Sequence, residues 1–242
     1  MPVTPPGRFL GRLFAGRASI SGEPDWERSA LLEPRTVPRD PELISDGAGL
    51  PFSPAALGAA ADQLDRQDPA VAALIAQLAR QKAPPGGAPA PGLGGWRVLA
   101  RADDEVLFGR GRPPQLVTVA VRPDVRRRPW SCFAVSTARP LRVTRAGIRA
   151  SDWRPDPNVE PHPNDAVLRV LVTEQTWAGG KRADRRLLAP DLHMGAQDLV
   201  LTMFVKPADG FQIRSRNPET PARIALPSPI GRRRLHDGAR YA

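Results

Sequence analysis

"APPGGAPAPGLGGWRVLARADDEVLFGRG" spans residues 83–111, and the character of the chain changes inside it. Up to Gly95 it carries no charge and almost no apolar bulk, the composition of a flexible joint. From Trp96 the apolar residues begin to alternate. "WRVLARADDEVLFGRG" reads as two strands around an Asp103-Asp104 turn.

Downstream the same pattern recurs. "QLVTVAVR" (115–122), "SCFAVST" (131–137), "LRVTRAGIRA" (141–150), "AVLRVLVTEQ" (166–175), "DLVLTMFVK" (198–206), "FQIRS" (211–215) and "ARIAL" (222–226) are short, rich in β-branched residues, and separated by Gly, Pro, Asn and Asp. Such spacing predicts a mainly β fold, an immunoglobulin-like antiparallel β-sandwich over residues 96–238. "SDWRPDPNVEPHPND" (151–165) is too proline-rich for a strand and reads as a loop.

Upstream the period is different. "SPAALGAAADQLDR" (53–66) and "DPAVAALIAQLARQK" (68–82) each place a cap residue before a proline, Ser53-Pro54 and Asp68-Pro69. Leu57, Ala60, Ala61 and Leu64 fall on one face of the first segment. Val71, Leu74, Ile75 and Leu78 do so in the second, predicting a helical hairpin over 53–82. Residues 1–52 read as an extended, proline-rich leader and 83–95 as a linker.

The chain carries 35 Lys and Arg against 25 Asp and Glu, a net charge of +10. Residues 1–95 hold nine basic and ten acidic residues, so the excess belongs to the second part. Three arginine-rich clusters stand out there: Arg126, Arg127 and Arg128; "KRADRR" (181–186); and Arg232, Arg233 and Arg234. A nucleic-acid reading would set these on phosphates. The alternative is that they are solvated turns between strands, where each is expected by position. The single cysteine, Cys132, excludes an internal disulfide and points to a reducing, cytoplasmic setting. Residues 7–20 are basic and mildly amphipathic, a surface tail or a membrane-surface contact.

Catalytic signals are weak. His162, His193 and His236 stand in turn-like contexts without metal-ligand spacing. Cys132 sits in an apolar strand, and neither a phosphate loop nor a nucleophile elbow is present. The sequence therefore points to no catalytic, cofactor or metal residue.

"VLFGRG" (106–111), "VLVTEQTWAGG" (170–180) and "RNPETPARIALPSPIGRRRLHDG" (216–238) resemble motifs of an uncharacterised actinobacterial family of small secreted or membrane-anchored proteins. The matched positions include Glu174, Ala178, Gly180, Asn217, Thr220, Pro221 and Gly238. The family pattern places cysteines where this chain has Trp177 and Arg214. If those cysteines pair, the resemblance implies that Trp177 and Arg214 lie close together, as a cation–π pair. No activity transfers with the resemblance. The expectation is a non-enzymatic interaction or structural protein that docks a partner, or a second copy, through residues 1–82. Nucleic-acid binding is the first alternative, and an enzyme with a loop-built site the second.

Overall fold

The computed structural model describes residues 24–37, 41–45, 49–61, 63–80, 92–124, 129–136, 141–176, 178–210 and 217–241. The described chain is mainly β. Three short strands come first: β1 (Ala30–Leu32), β2 (Arg35–Thr36) and β3 (Glu42–Ile44). Helix α1 (Pro69–Arg80) follows. A four-stranded meander is then built from β4 (Trp96–Arg101), β5 (Val106–Arg110), β6 (Val117–Pro123) and β7 (Trp130–Ser136). After it run β8 (Leu141–Arg145), β9 (Ile148–Pro155), β10 (Val167–Thr173), β11 (Asp191–Met194), β12 (Asp198–Phe204), β13 (Thr220–Ala225), β14 (Arg234–Asp237) and β15 (Arg240–Tyr241).

The meander is antiparallel throughout and buried on both faces. Alternation divides it, apart from bulges at Leu99 and Phe133 where the register shifts. Val106, Phe108, Val119 and Val121 face α1, which covers them with Val71, Leu74 and Leu78. Leu107, Ala120 and Leu99 face the other way, onto Leu43, Leu141, Val143 and Phe204 of the larger sheet. Gly109 of "VLFGRG" is explained by this second contact, because a Cβ there would sit 2.5 Å from Leu99 Cδ1.

The larger sheet follows the path β1-β13-β10-β9-β12-β11-β2, with β14 beside β12, and with β3 and β15 beside β8. β9 pairs in turn with β8, β12 and β10 along its length. Trp153, Val170, Val172, Leu199, Leu201, Met203, Ala222 and Ile224 form the apolar cluster within this sheet.

Several expectations are corrected. The helical hairpin is not formed. The Asp68-Pro69 start holds, with Asp68 Oδ1 accepting from Ala70 N at 2.8 Å. The Ser53-Pro54 start yields only a 3₁₀ turn, Pro54–Gly58, after which Ala59 is extended. Leu57 is its one buried side chain, and a helix without an apolar stripe over several turns lacks the packing that sustains it. The large sheet is mixed rather than antiparallel, since β1–β13, β2–β11 and β12–β14 pair in parallel. Segment 141–150 is two strands, split by a turn with Ala146 and Gly147 at φ 49° and 77°, the hairpin geometry that needs positive φ twice. Segment 151–165 is not all loop. β9 runs on to Pro155, at the strand's end where a missing N–H does least harm, and Trp153 Nε1 donates to Leu201 O at 2.8 Å. The "FQIRS" strand and most of the 83–95 joint lie outside the described residues.

Candidate functional site

Both ends of the described chain meet at one cleft of about 530 Å³. Arg35 and Glu42, from β2 and β3, line one part. Asp237, Arg240 and Tyr241, from the last two strands, line another. Asp191, His193, Val200 and Thr202 of β11 and β12 also line it. The register places Asp191 opposite Thr202 and His193 opposite Val200, so these side chains share one face.

Asp191 is the electrostatic hub. Arg145 donates to Asp191 Oδ1 at 2.8 Å and to Ala189 O at 2.9 Å, and its guanidinium lies 4.2 Å over the Phe204 ring. Arg35 Nε approaches the same carboxylate at 3.9 Å. Beside the cleft, buried Arg142 forks onto Asp152 at 2.9 and 3.3 Å. Gln175 Nε2 and Arg240 add donations to Asp152 Oδ2 at 2.7 and 3.4 Å. Burial alone would raise the Asp152 pKa, but hydrogen bonds and charge from Arg142 and Arg240 prevail and hold it below the ordinary range.

Asp237 goes the other way. Its residue is exposed at the rim, yet protein crowds the carboxylate. Desolvation first, and repulsion from Asp152 second, push its pKa up, while Ala239 N donates to Oδ1 at 2.9 Å. Chemically the cleft offers Asp191 committed to arginines, Asp237 that takes a proton more easily, the Glu42 carboxylate, an imidazole and several hydroxyls. No group of three or more His, Cys, Asp or Glu side chains among the described residues is placed to hold a metal.

The family-like motifs meet elsewhere, around a second buried network. Arg186 Nη1 and Nη2 donate to Glu174 Oε1 and Oε2 at 2.7 and 2.6 Å. Thr176 Oγ1 donates to Glu174 Oε1 at 2.7 Å. Asn217 clamps the neighbouring backbone, its Nδ2 donating to Glu174 O and Thr176 O while its Oδ1 accepts from Ala178 N. Thr220 Oγ1 accepts from Ala183 N at 2.8 Å. These motif residues thus tie the end of β10, the 174–186 segment and the start of β13 into one unit.

The predicted site residues scatter. Arg233 is a tie rather than a free cation, donating to the carbonyls of Gly195, Pro229 and Ile230. Arg232 and Arg234 remain exposed, Arg234 at the start of β14. Arg126, Arg127, Arg128, Trp177, Arg214 and residues 7–20 lie outside the described residues. His193 and His236 stand in strands rather than turns, and His236 Nε2 lies 2.8 Å from Asp198 Oδ1. Cys132 is half-buried in β7, its pKa raised chiefly by desolvation. Sequence reasoning missed Arg142, Arg145, Asp152, Asp191 and Asp237. Two arginines within the otherwise strand-like "LRVTR" were the available signal, but residue type does not tell a buried charge from a solvated one.

No helix among the described residues is long and apolar enough to cross a membrane. Comparison with family models, with curated proteins and with solved structures found no match to this chain.

Proposed function

We propose that the chain is a non-enzymatic interaction or structural protein of the cytoplasm. An immunoglobulin-like sandwich, of the actinobacterial type its motifs resemble, serves as scaffold, and residues 1–82 carry the docking surface. The observation that supports this reading is apolar exposure within that segment: Leu31 on β1 is 54% exposed and Ile75 on α1 is 38% exposed. Exposed large apolar side chains on ordered elements favour contact with a partner or a second copy. The cleft charges are largely engaged with one another, as expected where ionic groups serve architecture.

The test is to change Leu31→Glu and Ile75→Glu separately and together. Co-purification of the native partner, or self-association in sedimentation velocity, should be lost while the melting temperature holds. Undiminished association in the double variant overturns the reading.

A second reading, nucleic-acid binding, rests on the basic surplus after residue 95 and on exposed Arg232 and Arg234. Affinity for DNA or RNA should then fall steeply with salt, and Arg232→Gln with Arg234→Gln should flatten the slope. Absence of binding at low salt rejects it.

A further inference from the structure

The outer face of β10 and β13 sets two like charges against each other. Arg169 and Arg223 stand directly opposite one another in the antiparallel register. Like charges in that position repel and cost stability. The same face neutralises its other arginine: Arg154, opposite Leu171, forks onto Glu219 with two contacts of 2.7 Å. Arg169 and Arg223 have no carboxylate partner among the described residues.

Their free donors are specific. Arg169 lies with its guanidinium 5.6 Å from the Trp26 ring centre and makes no hydrogen bond through its nitrogens among the described residues. Stacking occupies the face of a guanidinium and leaves its N–H edge available. Arg223 spends Nη2 on the carbonyls of Glu27 and Ser29, at 3.5 and 3.1 Å. Its Nη1 makes no bond among the described residues. Both arginines line one groove of about 650 Å³, whose other walls include Val159, Pro161, Val167 and Asp165, the last with Oδ2 accepting from His162 N at 2.7 Å. Val159 and Val167 are each 42% exposed there.

We propose that this groove binds a phosphate-type oxyanion between Arg169 and Arg223, with the valine and proline walls taking an apolar body attached to it. Two facing guanidinia suit a dianion better than a single carboxylate, since Arg169 can offer paired N–H donors and Arg223 adds Nη1. The Trp26–Ser29 turn fixes both side chains from the other side, so the pair is held in place before the ligand arrives. This site is independent of the scaffold reading.

The test is calorimetric titration of the full chain at low ionic strength with inorganic phosphate and with phenyl phosphate. Saturable binding of either supports the site. Tighter phenyl phosphate assigns a monoester on an apolar body, and equal affinity assigns the oxyanion alone. Arg169→Gln should weaken binding about tenfold or more, the loss expected for a charged hydrogen-bonding partner. Arg182→Gln, at an exposed position outside the groove, should leave it unchanged. A parallel melting curve of Arg169→Gln separates lost binding from lost fold. The proposal is overturned if neither probe saturates at millimolar concentration or if Arg169→Gln binds as the parent does.

Discussion

Glu174 keeps 3% of its side-chain surface exposed and relies on Arg186 for charge compensation. A carboxylate stranded in such a place costs far more than the intact pair contributes. Arg186→Met should therefore destabilise the fold by about 3 kcal/mol in chemical denaturation. Adding Glu174→Gln should recover part of that loss. If the second change brings no recovery, Glu174 is compensated by something other than Arg186. Two aspartates beside the cleft give opposite pH signatures. The folded-state pKa of Asp152 is depressed, so its stabilisation is present above the unfolded value and is lost as pH falls through the folded one. The folded-state pKa of Asp237 is raised, so the folded state is favoured below the unfolded value and loses stability as pH rises toward the folded one. Asp152→Asn should thus lower the melting temperature at neutral pH and Asp237→Asn should raise it, with both differences fading in strong acid. Melting curves across pH decide the matter, and shifts of the same sign in both variants would contradict these assignments.

Among elements, those with a long pattern were legible and those with a borrowed one were not. β5, β6, β10 and β12 could be read because each carries enough alternating or β-branched residues to declare a strand. α1 was legible from Asp68-Pro69 and its apolar spacing. The first half of the expected hairpin was misread because an alanine-rich run with Gly58 has helical propensity but only Leu57 to bury. β1, β2, β11, β14 and β15 have two to four residues each. Strands that short exist because an edge is there to receive them, which is tertiary information. The same holds for the cleft: Asp191 and Arg145 are remote in sequence, and only the route of the sheet brings them together. α1 also has an energetic role, covering one face of the meander with fully buried Leu74. Leu74→Ala should cost about 3 kcal/mol and should raise hydrogen exchange in β5 and β6, which a purely local helix defect would leave protected.

At the scale of the molecule, the sequence suggested a leader, a helical segment, a joint and a β domain in succession. The structure interleaves them. Residues 30–44 supply three strands of the large sheet, one beside each of β13, β11 and β8. The two parts of the sequence therefore meet within a single sheet, as Arg35 of the first does with Arg145 and Asp191 of the second. No composition window could have revealed this, because the joint at 83–95 separates the two parts in sequence but not in pairing.

That pairing carries a consequence for how the chain comes together in time. Ala30 takes its place beside Ala222, so β1, the first strand among the described residues, waits for one made about 190 residues later. At ordinary ribosomal speeds the wait is roughly ten seconds or longer. Contacts between such distant parts of a chain also slow folding after release. The meander, closed by neighbours in sequence, has no such delay. Pulse-labelled exchange during refolding should show β4 to β6 protected first and β1 to β3 last. Simultaneous protection would mean the ends meet early, before the middle is built.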